Sequence, residues 1–222
     1  MKRTSNSKSQ ARRITYPTLF WLFLIGSVIG FILEGLWAIT QRGGWENHSA
    51  TVWGPFCIIY GIAAAALYCL SMLLKGKNIL TQFLVCALAG SALEYFASLF
   101  QEICFGSTSW NYSDQFLNIG GRVSLKMTLI WGILGVIFTR YIFPVFRKVL
   151  QKMHGNYWNI LCILMSIFMT VNLLVTSCAV LRWRRRLNSD EALPVSNPME
   201  EFLDENYGND EMSEIFPNMM FS

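Results

Sequence analysis

The sequence predicts an all-α membrane protein, a polytopic bundle of about five transmembrane helices with a possible duplicated two-helix hairpin. Of the 222 residues, 53% are hydrophobic and only 14% are charged, and the mean hydropathy is +0.37. Soluble domains rarely show this balance, because they need a charged surface. Five apolar segments are long enough for helices that cross a hydrocarbon core, which takes about 20 residues. Two of these segments share a motif, which suggests the duplication.

We place the five spans at residues 17–40, 53–74, 79–104, 124–146 and 157–182. A basic stretch precedes the first span, but no small-residue cleavage site follows it, so we expect an uncleaved helix rather than a signal peptide. The domains that result are a basic cytoplasmic arm (1–16), a four-span core with two outer loops (17–147), a basic loop with the fifth span (148–186) and an acidic tail (187–222).

Charge is distributed unevenly along the chain, because nine of its fourteen acidic residues follow residue 189. This tail is polar and contains prolines, which predicts disorder. Without the tail the membrane part is basic, but its Lys and Arg lie at span ends, where they set topology, so we expect no nucleic-acid partner.

A cytoplasmic N-terminus in a multi-pass protein of the cell membrane places eleven of the eighteen Lys and Arg residues inside. One cluster of arginines does not fit this topology. It directly follows the fifth span, and with a cytoplasmic N-terminus five spans place it outside, although basic residues normally lie inside. Either the fifth segment does not fully cross, or an earlier segment is re-entrant, or the rule fails at the last helix. The side of the tail stays open. The cluster consists of Arg182, Arg184, Arg185 and Arg186.

Cysteine and histidine do not indicate a metal site. All six cysteines fall in apolar segments without a CxxC pair, which is typical of packing residues. His48 and His154 lie in different loops on opposite sides of the predicted membrane and cannot share a zinc ion. We expect neither a metal nor a cofactor.

The motif G-x-x-L-E occurs at residues 30–34 and again at 90–94, an offset of 60 residues. Its carboxylates, Glu34 and Glu94, lie in apolar spans, where a charge costs about 2.5–3.5 kcal/mol, so each requires a partner, a proton or water. Residues four apart share a helix face, and small residues on that face allow close helix packing. The small residues at this spacing are Gly26, Gly30 and Ala38 in the first span, and Cys86, Gly90 and Ser98 in the third.

Both glutamates lie toward the outer ends of their helices, where the loops that carry Arg42 and Arg122 begin. We therefore predict a buried polar cluster of these four side chains. Two interpretations stay open: the cluster holds the bundle in register, or it forms a polar pocket for a substrate or a proton between two repeats.

The outer loops supply further candidates. The first leads into VWGPFCIIYG (52–61), where we expect Pro55 at a helix start. The second, about 20 residues long, predicts a packed or re-entrant cap whose side chains hydrogen-bond the glutamates; the alternative is an interfacial loop anchored by Trp and Tyr. The helix-start motif comprises Gly54, Pro55, Tyr60 and Gly61, and the cap candidates are Trp110, Asn111, Tyr112 and Asn118.

These motifs, together with WNYSxxFLNIGGRVSL and the LIWG that follows, resemble the CmpB-like family of bacterial membrane proteins, described as ABC-transporter type IV permeases; a vertebrate transmembrane family is similar to it. The resemblance covers roughly residues 20–147. The chain departs from the family pattern where HSATVW replaces an Asn-Arg-Gly, at Ile58 and at Asn111. These departures weaken the case for a charged outer-loop site. Asp114, three residues after Asn111, is a candidate to replace the aspartate that the family pattern has at that position.

The resemblance implies a permease-like subunit, and the sequence has no GxxxxGK[ST] loop, so a separate ATPase is the expected partner besides membrane lipid and further copies of the chain. Its inner loops are short for such a partner to bind. The alternatives are a non-transporting scaffold or regulatory protein and a membrane-embedded enzyme that uses Glu34 and Glu94 as an acid–base pair. The sequence predicts no substrate.

Overall fold

The computed structural model describes residues 14–189 and 193–221. Predictions for the basic arm before residue 14, and for residues 190–192, lie outside the described residues. Within the described ranges the chain forms seven helices and two short strands. These are α1 (Tyr16–Arg42), α2 (Ile58–Leu74), α3 (Ile79–Phe105), β1 (Ser107–Thr108), α4 (Leu125–Leu150), α5 (Asn156–Leu187), α6 (Pro198–Asn206), α7 (Asn209–Ile215) and β2 (Met220–Phe221).

The predicted all-α polytopic bundle is confirmed. Helices α1, α3, α4 and α5 are long and apolar enough to cross a membrane. Helix α2 is apolar and 17 residues long, the lower limit for a span, because the segment before Ile58 belongs to a loop rather than to the predicted span at 53–74. The structure thus has four long candidate spans and one shorter apolar helix in place of five long spans.

Local sequence explains where the helices begin and end. Asn78 accepts a hydrogen bond from the Thr81 amide (2.8 Å) and so caps α3, while Ser124 caps α4 in the same way. Gly43 and Gly106 end α1 and α3 in the left-handed conformation, with φ of 77° and 61°. In α4, Pro144 lacks the amide hydrogen for a regular helix, and a π-helical turn precedes it at Phe138–Ile142.

The first four helices form two antiparallel hairpins, α1 with α2 and α3 with α4. Their loops, 43–57 (loop 1) and 106–124 (loop 2), lie at one end of the bundle together with the C-terminal end of α5; we call this the loop end. The short connections 75–78 and 151–155 lie at the opposite end, which we call the basic end. His48 and His154 lie at opposite ends, as predicted.

The acidic tail differs from the disorder that its composition predicts. Over residues 193–221 it forms α6, α7 and β2, and β2 pairs antiparallel with β1. Four apolar tail residues are buried against α5, and this burial offsets the entropy cost of ordering the segment. They are Leu203, Tyr207, Met212 and Phe216, which contact Val175, Ala179, Val180 and Trp183.

The arginine cluster after the fifth span lies at the loop end, on the side of the tail. Arg182 donates to both carboxylate oxygens of Asp204, at 3.0 and 2.6 Å, and lies 3.6 Å from Glu200. Arg186 also pairs with Asp204. Tail carboxylates therefore compensate the charges of Arg182 and Arg186.

Candidate functional site

In the first hairpin, Glu34 is half-buried and accepts a hydrogen bond from the Tyr60 hydroxyl of α2. One turn earlier, Gly30 faces the same tyrosine, and a Cβ there would overlap the Tyr60 ring. The missing side chain lets Tyr60 lie flat on α1 and reach the carboxylate. Glycine and glutamate thus act as one unit on the helix face that the sequence predicted.

The second hairpin repeats this unit with a different aromatic residue. Glu94 is 4% exposed; one of its oxygens accepts from the Tyr112 hydroxyl (2.9 Å) and the other from Trp131 Nε1 (3.1 Å). Gly90 lies under the Trp131 indole, where a Cβ would overlap the ring. The aromatic residue from the partner helix again covers the glycine and donates to the glutamate.

The duplication extends to α2 and α4, as the predicted duplicated two-helix hairpin requires, although the sequence analysis did not identify the matching residues in these two helices. Residues of α1 match those of α3 at an offset of 60, and residues of α2 match those of α4 at an offset of 71. The signal in the sequence is IIYGI (58–62) against LIWGI (129–133). The matching contacts are Gly30–Tyr60 with Gly90–Trp131, Gly26–Ala64 with Cys86–Gly135, and Phe23–Gly61 with Phe83–Gly132.

Tyr112 of loop 2 donates to Glu94 and lies close enough to Glu34 for that charge to act on its phenol. Burial raises the pKa of the phenol well above the usual range, and the charges of Glu94 and Glu34 raise that pKa further. The phenol therefore stays protonated and remains a hydrogen-bond donor to Glu94. We call Glu34, Tyr60, Glu94, Tyr112 and Trp131 the glutamate cluster.

Within the described residues, neither predicted arginine is a hydrogen-bond partner of either glutamate. Arg122 instead forms an ion pair with Glu102 and lies 3.3 Å from the Ser98 hydroxyl. Arg42 pairs with Glu46 and contacts Asn218 at the limit of hydrogen bonding, 3.5 Å. Sequence reasoning missed Glu102, although it continues the four-residue spacing of Glu94 and Ser98.

The remaining cap candidates hold loop 2 itself. Trp110 donates to the Arg122 carbonyl (3.0 Å), and Asn118 donates to the carbonyls of Ser113 (3.1 Å) and Gln115 (2.9 Å). Asn111 accepts from the Ser113 amide at 2.9 Å. Loop 2 is thus a packed cap, as one of the two interpretations predicted, but of the four candidates Tyr112 is the one that hydrogen-bonds a glutamate in the described chain.

Loop 1 is held by α5, through residues that the sequence analysis did not single out. Asn172 is fully buried; it accepts from the Trp53 amide (3.2 Å) and donates to the Trp53 carbonyl (2.7 Å). One turn later, Thr176 accepts from the Val52 amide at 3.0 Å. Two polar residues four apart in an apolar span were the available signal.

The helix-start motif is placed differently from the prediction. Pro55 lies in loop 1, three residues before α2 begins, because a tight turn occupies these positions. In that turn the Phe56 amide bonds the Gly54 carbonyl (3.0 Å), and the Phe56 carbonyl accepts from the Ala50 amide (2.8 Å). Gly54 has a φ of 82°, which favours glycine. Tyr60 and Gly61 do belong to α2, where both contact α1.

Two clefts lie on the first hairpin in the described structure, and neither is lined by a residue of the glutamate cluster. One, of about 210 Å³, lies under loop 1, with Phe31, Asn47, Ser49 and the tail residue Ile215 in its wall. The other, of about 480 Å³, is an apolar groove between α1 and α2. Among the described residues there is no group of three or more His, Cys, Asp or Glu side chains placed to hold a metal ion, and the six cysteines are free.

Comparison with known proteins gives one family. A family model of CmpB-type proteins, described as "Putative ABC-transporter type IV", matches residues 21–177, which include both hairpins and most of α5. No curated protein and no solved structure matches the chain significantly.

Proposed function

We propose that this chain, which belongs to the family described as "Putative ABC-transporter type IV", is the permease-like subunit of an ABC-type transporter. Family membership and four long apolar helices make it a multi-pass membrane protein. The proposal adds that a solute crosses between the two hairpins, past the glutamate cluster.

The observation that carries the proposal is the repeated glycine–aromatic–glutamate unit, which places one hydrogen-bonded carboxylate on each hairpin, Glu34 with Tyr60 and Glu94 with Trp131. Transporters built from internal repeats have their sites where the repeats meet. Ionisable residues within membrane segments commonly mark such paths. Under this proposal Glu34 and Glu94 contact the solute, while Arg122 positions loop 2 through Glu102.

A separate ATPase would supply the energy, since the sequence has no loop of its own for ATP phosphates. We place its contact at the basic end, where α4 ends in an amphipathic turn that carries Arg147 and Lys148, followed by Lys152. Six described basic residues lie toward that end, and five more precede α1 in the sequence, which favours a cytoplasmic basic end and N-terminus in the cell membrane.

The test is affinity purification of the chain from its native host in mild detergent, followed by mass spectrometry. We expect a nucleotide-binding subunit in stoichiometric amount and its loss with the double variant Lys148→Glu, Lys152→Glu. The control is Lys126→Glu, a basic residue at the loop end. Purification of the chain without an ATPase would contradict the proposal, and the mass of the complex reports whether further copies are present.

A scaffold or regulatory protein is the second candidate, because one observation favours it: both glutamates already have aromatic hydrogen-bond donors. If they only specify packing, Glu34→Gln and Glu94→Gln will alter stability and leave the activity of a co-purified ATPase unchanged. The enzyme hypothesis has less support, since each carboxylate binds its own donors instead of sharing a proton with the other.

A further inference from the structure

The tail lies across the loop end and contacts the first hairpin at three points. The Tyr207 hydroxyl accepts from Trp53 Nε1 of loop 1 at 2.6 Å. Asn218 accepts from Arg42, at the end of α1, at 3.5 Å. Ile215 forms part of the wall of the cleft under loop 1. The tail thus touches both the loop and the helix end of this hairpin.

The same tail also contacts the second hairpin, through its backbone. Strand β2 pairs with β1 at the start of loop 2, with Phe221 opposite Ser107 and Met220 opposite Thr108. The Phe221 ring also lies edge-on against Trp183 of α5, with ring centroids 4.9 Å apart. One segment of fewer than thirty residues therefore links loop 1, α5 and loop 2.

Direct contacts between the hairpins lie mainly toward the other end of the bundle. Helix α2 contacts α3 and the π-helical turn of α4. The bond between Ser71 and Thr139 (3.0 Å) lies near the basic end, as does that from Gln82 to the Leu74 carbonyl (3.3 Å). At the loop end of the described structure, the tail bridges the hairpins together with α5, which holds loop 1 through Asn172 and packs against Phe105 of α3.

We propose that residues 193–221 form a strap that ties loop 1 to loop 2 and keeps the loop ends of the two hairpins together, held on α5 by the ion pairs of Asp204. Asp204 pairs with both Arg182 and Arg186, and Arg186 also donates to the Tyr207 carbonyl. Leu203 and Met212 anchor the strap at 2% and 0% exposure.

The strap lies outside the part of the chain that defines the family, because the family match ends at residue 177. The strap is therefore an addition to the part of the chain that the family shares, and it contacts the loops of this chain. If the chain is a permease, the strap closes the loop-end gate of the path; that consequence rests on the proposed function, whereas the tie between the hairpins does not.

The test measures the distance between the hairpins with spin labels on Gln41→Cys, at the end of α1, and Asp114→Cys, in loop 2. Both positions are exposed. The labels are placed in a chain whose native cysteines are replaced by serine, and the chain is reconstituted in lipid nanodiscs. We expect one narrow distance distribution for the intact chain. A chain truncated after Ser189 should give a broader distribution shifted to longer distances; a monodisperse truncated chain with an unchanged distribution overturns the proposal.

A pair of single substitutions decides the question even if the truncated chain does not fold. Asp204→Lys places a third positive charge beside Arg182 and Arg186, so the strap should detach and the distribution should broaden as in the truncated chain. Glu205→Lys makes the same charge change on the exposed face of α6 and should leave the distribution unchanged. Identical distributions for the two variants would overturn the role of Asp204. The readout needs neither an ATPase nor a solute, so it is independent of the proposed function.

Discussion

The two hairpins share one packing register but differ in how their glutamates are covered. Glu34 has one aromatic donor and is half-buried, whereas Glu94 has two donors and is 4% exposed. The cause lies in the loops: the offset between repeats rises from 60 to 71 across them, and the additional residues form the cap that brings Tyr112 onto Glu94. The helix–helix contacts are therefore the same in both hairpins, whereas the loops that join the helices differ in length and structure.

Loop 1 shows the complementary solution. It is shorter, and it has bonds of its own through Ser49. It also forms hydrogen bonds with Asn172 and Thr176 of α5 and with Tyr207 of the tail. Loop 2 is stabilised from within by Trp110 and Asn118, and it meets the tail through the backbone pairing of β1 with β2. Loop 1 therefore depends on side chains of the C-terminal part of the chain, whereas the side chains that hold the middle of loop 2 are its own. Substitutions that affect one hairpin and spare the other test this difference.

The largest effect should come from filling the glycine of either unit. Gly90→Leu forces a side chain into the Trp131 indole, and Gly30→Leu forces one into the Tyr60 ring. Overpacking of this kind costs about 3 kcal/mol or more, so we expect both variants to lose the folded, monodisperse chain. Size-exclusion chromatography and thermal unfolding in detergent measure this loss.

The matched control is Gly44→Leu, because a Cβ at Gly44 meets no atom within 4 Å. That variant should behave as the parent chain does. If Gly90→Leu is tolerated while Gly30→Leu is not, the two units are not equivalent, and the inference that their packing is duplicated is wrong.

An intermediate effect is expected from Asn172→Leu, which should affect loop 1 alone. The substitution removes the fully buried amide of Asn172 and leaves the partly buried amide and carbonyl of Trp53 without their partner, which costs about 2 kcal/mol. Hydrogen exchange should accelerate over residues 49–57 and stay unchanged over residues 110–121. Asn159→Leu, an exposed position earlier in α5, is the control, and equal acceleration in both loops would contradict the separate support of the two hairpins.

How much the sequence predicts depends on whether the partner is local. The helix faces of small residues that carry Glu34 and Glu94 follow from helix periodicity, and the packed structure of loop 2 follows from its length and composition. The partner of Arg122 does not follow, because Glu102 lies 20 residues away, across loop 2. The partner of Arg42 is local, because Glu46 follows it by four residues, and the sequence analysis overlooked it.

The same limit explains the tail. Its average composition is acidic, and disorder is the expected result for such a segment. Order comes from a few apolar side chains, among them Leu203 and Met212, whose partners on α5 lie 20 to 37 residues away in sequence. The sequence of the tail or of α5 taken alone does not indicate that these side chains pack together. The hydrogen bond between Asn172 and Trp53, 119 residues apart, is equally impossible to predict from either segment alone.

The smallest effect separates the two glutamates themselves. Glu94 uses both carboxylate oxygens, one for Tyr112 and the other for Trp131, whereas Glu34 uses one oxygen for Tyr60. A glutamine has a single acceptor oxygen, and its amide nitrogen cannot accept from an O–H or N–H donor. Glu94→Gln must therefore leave one donor without an acceptor, while Glu34→Gln can keep its bond.

We expect Glu94→Gln to lower the free energy of unfolding by about 1 kcal/mol, the cost of one unsatisfied donor, and Glu34→Gln to change it by much less. Denaturant or thermal unfolding in the same detergent measures the difference. Adding Trp131→Phe to Glu94→Gln removes the unsatisfied N–H and should recover part of the loss. If the two single variants lose the same free energy of unfolding, the contribution of each glutamate to stability comes from its charge and not from the number of its acceptor oxygens.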